Sequence, residues 1–144
     1  MLKKRLLKRR IEKEKSGIVF LQETKCSRED LAKTAQKVWK GCETIAINAR
    51  GAVGGLGILW NPRVVTLSGF FTTNCSILAD FHILRTRIRG IITNVYGPPK
   101  VDQKQTFIES LSDLKTIVMN RAWIIRGDFN LIRNLGEKKE VFIA

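Results

Sequence analysis

Apolar residues follow two periods along this chain, and the change between them predicts its elements. Leu2, Leu6, Leu7 and Ile11 recur at helical spacing among basic residues, an amphipathic helix that Ser16-Gly17 ends. Ile18 to Gln22 reads as a short buried strand. Ser27 with Asp30 three residues on is a capping-box pattern, opening a helix with Leu31, Ala35, Val38 and Trp39 on one face and closed by Gly41. Short β-rich runs then follow at Thr44–Asn48, Gly57–Trp60, Val64–Leu67, Ser76–Ala79, Ile83–Ile88 and Ile91–Tyr96. Asn61-Pro62, Ser68-Gly69, Thr73-Asn74 and Arg89-Gly90 separate them, so a meander of antiparallel strands is expected. Pro98-Pro99 stops the last of these. Asp102 with Gln105 caps a helix bearing Phe107, Ile108, Leu111, Leu114 and Val118, and Trp123–Arg126 forms a final strand. With no internal repeat or linker, one α/β domain over residues 1–144 is the economical reading.

Polar residues stand just past the ends of two apolar strands. Gly127-Asp128-Phe129-Asn130 follows Trp123-Ile124-Ile125, and Leu21-Gln22-Glu23-Thr24-Lys25 continues Ile18-Val19-Phe20. Alternation along an extended chain puts Asp128 and Asn130 on one side, where a carboxylate and an amide can orient a water or hold a phosphate. Each of these residues alone is an ordinary surface or turn residue, since Asp and Asn favour turns for local hydrogen-bonding reasons. Tyr96, in Asn94-Val95-Tyr96-Gly97-Pro98-Pro99, repeats the context of apolar strand, terminal polar group and turn. Two carboxylates at strand ends, Glu23 and Asp128, suggest one divalent-metal site.

Charge narrows the partners. The chain carries 26 Lys and Arg against 13 Asp and Glu, a formal charge of +13, which points to a polyanion and most simply to nucleic acid. Residues 1–15 hold eight basic and two acidic residues. Phosphate contact or a nuclear address in Lys3-Lys4-Arg5 and Lys8-Arg9-Arg10 competes there with a plain solvated helix face. No run has membrane-spanning length and no secretory pattern is visible, so neither a membrane partner nor secretion is expected. Cys26, Cys42 and Cys75 lack zinc spacing and suit a reduced, intracellular protein.

Two further features read as ordinary structure. Gly51-Ala52-Val53-Gly54-Gly55-Leu56-Gly57 lacks the Gly-Lys-Ser/Thr of a phosphate-binding loop and precedes a strand, so it reads as a flexible turn. His82, the only histidine, lies in a β-rich run without a nucleophile beside it and reads as a strand residue.

Taken in order, Leu21-Gln22-Glu23-Thr24-Lys25, Gly54-Gly55-Leu56-Gly57-Ile58-Leu59-Trp60, Asn94-Val95-Tyr96-Gly97-Pro98 and Gly127-Asp128-Phe129-Asn130 resemble the motifs of the endonuclease/exonuclease/phosphatase superfamily. They are most similar to the endonuclease domain of plant LINE-type retrotransposons. The resemblance runs from about residue 5 to residue 136. It implies a four-layer αββα sandwich and hydrolysis of a phosphodiester with Mg²⁺, or Mn²⁺ in its place, and no small-molecule cofactor. It implies Glu23 as metal ligand, Tyr96 as a phosphate contact, Asp128 orienting or deprotonating the attacking water, and Asn130 steadying the phosphate. Lys25 and Arg126, beside these motifs, are the expected nucleic-acid-binding side chains, and nicked nuclear DNA the expected substrate.

The resemblance has departures. The family opens with a strand bearing an Asn near the metal and closes with further strands and a Ser-Asp-His motif, and none of these is found here. The expectation is therefore an incomplete domain, without the first strand and C-terminal third, retrotransposon-derived and inactive alone, that self-associates through its incomplete sheet. Two other readings stand beside a nuclease: a non-catalytic basic nucleic-acid-binding remnant, and a phosphoinositide-type phosphatase relative.

Overall fold

The structure, a computed structural model, describes residues 4–48 and 54–130. Leu2, Lys3, the Gly51-Ala52-Val53 stretch and residues 131–144 lie outside the described residues. The element order is α1 (Lys4–Glu14), β1 (Ile18–Gln22), α2 (Arg28–Val38), β2 (Glu43–Ile47), β3 (Leu56–Trp60), β4 (Val65–Thr72), β5 (Ser76–Ile83), β6 (Arg89–Tyr96), α3 (Lys104–Val118) and β7 (Trp123–Asp128).

Local chemistry accounts for most boundaries. The Ser27 side chain accepts the Asp30 backbone N–H at 3.1 Å and opens α2 as anticipated. Helix α1 stops earlier than Gly17, because Lys15 takes a left-handed turn at φ 48° directly after Glu14. Asp102 does not cap α3. It lies in a 3₁₀ turn, Val101–Gln103, that precedes the helix, and Gln103 makes no side-chain cap.

The strand pattern needs three corrections. The expected single meander is divided between two sheets, with β2 and β3 in one and β4 to β6 in the other. Ser68-Gly69 is not a turn: β4 runs through it, with a bulge between Ser68 and Phe71 and Gly69 at φ 59°. Arg89-Gly90, expected to be a turn, opens β6. Residues 84–88 are the turn rather than a strand, closed by Thr86, whose Oγ1 donates to the Ile83 carbonyl and accepts from Ile88 N–H. Their apolar residues lose to hydroxyl-backbone bonding in the local contest.

The first sheet has the order β1-β3-β2, all antiparallel. The second has the order β4-β5-β6-β7, antiparallel except for β6 and β7, which run parallel through the α3 crossover. Ile18, Phe20, Leu56, Ile58 and Trp60 of the first sheet pack against Val65, Ile77, Ala79, Phe81 and Ile92 of the second. On the outer face of the first sheet, Leu21 and Leu59 pack on Leu31 and Ala35 of α2, with Leu7 of α1 beside them. On the outer face of the second, Leu78, Ile91, Val95 and Ile125 meet Phe107, Leu114 and Val118 of α3. Helices, sheet, sheet and helix make the expected αββα sandwich. Two stripe positions fail the expectation, Leu6 and Ile108, both exposed because each sits at the margin of its helix's buried face.

The close approach of β7 to β6 depends on Gly127. Its φ is 151°, and a Cβ there would collide with the Val95 carbonyl opposite. Gly127→Ala is expected to lower stability by about 3 kcal/mol, read as a lower urea midpoint. An unchanged midpoint would show that the β6–β7 pairing is looser than described.

Candidate active site

Side chains on the facing surfaces of the sheets change character toward one end. Parallel pairing sets Ile92 beside Ile124, Asn94 beside Arg126 and Tyr96 beside Asp128. Ile92, Ile124 and Tyr96 belong to the core between the sheets, so alternation turns Asn94, Arg126 and Asp128 to the same face. In β1 the inward series is Ile18, Phe20 and then Gln22, also apolar before polar. The apolar core thus gives way to polar groups at the carboxyl ends of β1, β6 and β7.

Continued extension would send Glu23 to the helix layer. Instead its φ of 50° turns the chain, and its Oε1 accepts the hydrogen bond donated by the Tyr96 hydroxyl. The turn is braced by the glycine-rich segment. Lys25 N–H donates to the Gly54 carbonyl at 2.5 Å and Thr24 N–H to Gly55 at 3.3 Å. A Cβ on Gly54 would lie 3.2 Å from Glu23 Cα, so glycine permits this approach.

Asn130 arrives by a similar turn rather than by alternation. Its φ is 49°, and its backbone N–H donates to Asp128 Oδ1 at 2.9 Å. Its amide donates to the Gly97 carbonyl at 2.5 Å, and Lys104 Nζ at the start of α3 donates to its backbone oxygen at 2.7 Å. Glu23, Tyr96, Asp128 and Asn130 are therefore gathered by three strand ends. Lys25 lies exposed on the loop just beyond Glu23. Arg126 is one pair of residues deeper than Asp128, half-buried, and lines a groove of about 320 Å³ with Gln22 and Gly127. His82 lies at the far end of β5, where Nε2 meets the Thr86 carbonyl at 2.8 Å. At the usual strand rise, β6 separates it from Tyr96 by roughly 20 Å.

Sequence reasoning gives no role to Asn94, Gln22 or Lys104. The signal for Asn94 was its parity, an amide at an inward position of an otherwise apolar strand. Gln22 carried the same parity signal in β1. Lys104 had none, since its contact spans the chain from α3 to the turn after β7.

Tyr96 is 6% exposed and is the chain's only tyrosine. Burial first, then its hydrogen bond to Glu23 and that carboxylate's charge, push its pKa up to about 12. Asp128 adds to the rise and the Asn130 amide opposes it. Tyr96 thus stays a protonated donor throughout the ordinary pH range.

The endonuclease/exonuclease/phosphatase family model matches residues 1–140. The chain belongs to this family. Solved structures agree in fold at low identity. The human Nocturnin catalytic domain is 14% identical with a TM-score of 0.69, covering 90% of this chain and 56% of its own. Zebrafish (D. rerio) TDP2 complexed with a single-strand DNA product is 15% identical, with a TM-score of 0.67, and covers 90% of this chain and 54% of its own. The mannosyl-6-phosphatase of Bacteroides thetaiotaomicron is 13% identical, with a TM-score of 0.65, and covers 88% of this chain and 56% of its own. This chain thus spans a little over half the length of these structures. None of the curated proteins matches it.

Members of the endonuclease/exonuclease/phosphatase family generally depend on a divalent metal. The donor set here suits one: Glu23 and Asp128 offer hard carboxylate oxygens beside the Asn130 amide. Among the described residues no three His, Cys, Asp or Glu side chains gather. Mg²⁺ needs no such cage, since it takes one or two carboxylates and completes its shell with water and substrate phosphate.

The raised phenol has a consequence for stability. Between about pH 10 and pH 12 the folded chain holds a proton that the unfolded chain has lost, so stability falls as pH rises through that window. Tyrosinate absorbance is expected to appear near pH 12, and at lower pH in Glu23→Gln. Titration of Glu23→Gln at the same pH as the native protein would contradict the Glu23–Tyr96 pairing.

Proposed function

We propose that this chain is part of a Mg²⁺-dependent endonuclease domain, of LINE-retrotransposon kind, that nicks DNA at the site formed by Glu23, Tyr96, Asp128 and Asn130. The observation that carries the reading is the convergence of two carboxylates, a phenol and an amide from three strand ends. The formal charge of +13 supports nucleic acid over a small phosphate ester, and the DNA product held by zebrafish TDP2 is consistent with it. Glu23 would hold Mg²⁺, with Mn²⁺ as a substitute. When bound, the cation neutralises phosphate charge and stabilises the leaving oxygen.

The remaining chemistry falls to the chain's own residues. Asp128 orients a water and takes its proton as the water attacks phosphorus in line. The Asn130 amide steadies a phosphate oxygen. Tyr96 has one hydroxyl hydrogen, given to Glu23 in this structure. It therefore sets the Glu23 carboxylate in place, and can turn that hydrogen to a phosphate oxygen when substrate arrives. Lys25 and Arg126 flank the strand ends as phosphate contacts, with binding that weakens as salt rises. The domain is expected to act in the nucleus, on DNA. Self-association through sheet edges belongs to the same proposal, because exposed edges favour pairing between chains.

A second reading is a non-catalytic, basic nucleic-acid-binding module. It is favoured by the chain's one histidine lying at the opposite end of the sheet from Asp128.

Relaxation of supercoiled plasmid in Mg²⁺ tests the first reading against the second. A chain spanning the whole domain is expected to nick, with Asp128→Asn lowering its rate on the order of 10²–10⁴-fold and Glu23→Ala abolishing metal-stimulated nicking, whereas this chain alone is expected to be inactive. Salt-sensitive DNA binding that survives Glu23→Ala, with nicking absent from the chain spanning the whole domain, would replace the enzyme by the binding module.

A further inference from the structure

Asn94 is completely buried between the two sheets, and its carboxamide makes three hydrogen bonds, all to the first sheet. Nδ2 donates to the Leu21 carbonyl at 3.1 Å and to the Gly57 carbonyl at 2.9 Å. Oδ1 accepts from Gln22 Nε2 at 2.5 Å. Leu21 and Gly57 are opposite one another in the β1–β3 pair, so the amide grips both strands at one level. Gln22 is the residue before Glu23, and Asn94 is two residues before Tyr96.

Around it the contact between the sheets is apolar. Ile58, Ile77, Ile92 and their neighbours fix how far apart the sheets stand, but dispersion contacts are tolerant of small shifts along the strands. Three directed bonds from one rigid amide are not tolerant of such shifts. The Glu23–Tyr96 bond spans the same two sheets one step further along, and hydrogen bonds lengthen quickly when one strand slides.

We propose that Asn94 is a positioning residue, whose buried amide fixes the level of β1 against β6 and so holds the Glu23 carboxylate against the Tyr96 hydroxyl. The proposal rests on the site reading above and goes beyond it, because Asn94 touches none of the proposed reacting groups. It acts through Gln22 and the backbone of β1. Its effect is therefore expected at Tyr96 before any global loss of structure.

The single tyrosine makes this measurable without activity. With ¹³Cζ-labelled tyrosine at neutral pH, one resonance reports whether the Tyr96 hydroxyl donates to a carboxylate. Glu23→Gln defines the signal without that partner. Asn94→Ser is expected to move the resonance to the Glu23→Gln position. Gln22→Leu, which removes one bond from a half-buried strand end, is expected to move it partway. Leu114→Ala, a core change on the far side of the second sheet, lowers the melting temperature while leaving the resonance in place.

The outcomes separate the two claims. If the Asn94→Ser and Gln22→Leu variants fold and keep the wild-type resonance, the positioning role is overturned while the site stands. If Asn94→Ser does not fold, Gln22→Leu decides. If Glu23→Gln leaves the wild-type resonance unmoved, the Glu23–Tyr96 pair is absent and the site reading itself fails.

Discussion

One buried carboxamide ties two sheets whose contact around it is hydrocarbon. Leaving a buried amide group unpaired costs about 1–3 kcal/mol, so Asn94 tolerates only the alignment in which its Leu21, Gly57 and Gln22 partners are all present. The apolar core supplies most of the favourable free energy of packing, and it would accept neighbouring alignments nearly as well. Polar bonding across the core selects among them. Glu23 and Tyr96 lie immediately beyond this point of registration.

The site follows from that geometry and from two local departures from extended backbone. Side chains facing between the sheets become polar toward the carboxyl ends of β6 and β7, giving the paired steps Asn94–Arg126 and Tyr96–Asp128. If their strands continued, Glu23 would face the helix layer and Asn130 would stand a further step along from Asp128. Positive φ values turn each back into the cluster, at a cost of about 1–3 kcal/mol per residue that the surrounding bonds offset. For Glu23 those bonds come from Gly54 and Gly55, and for Asn130 from Gly97 and Lys104.

Much of this was legible in the residues. Strand β1 begins and ends where its apolar run does, and the Ser27 cap fixes α2, because both depend on neighbours in sequence. The four motifs also named the residues that gather at the strand ends. What was illegible depends on distant partners. The bulge at Gly69 looked like a turn because glycine serves both, and only pairing with β5 distinguishes them. Residues 84–88 looked like a strand because apolar content does not register the Thr86 hydroxyl closing a hairpin. Asp128 and Asn130 were placed together for a reason that fails, since a turn and not alternation unites them. The bond from Asn94 to Leu21 spans 73 residues, and no window of sequence contains it.

The account's central claim is that ends of both sheets form one divalent-cation site. Paramagnetic broadening of backbone amide resonances by substoichiometric Mn²⁺ tests it most directly. Broadening centred on Glu23, Gly97 and Asp128 to Asn130, with α1 and the His82 end of β5 untouched, is the result the account predicts. Broadening centred elsewhere, or spread along the acidic residues of α2 with the strand ends sharp, would contradict it.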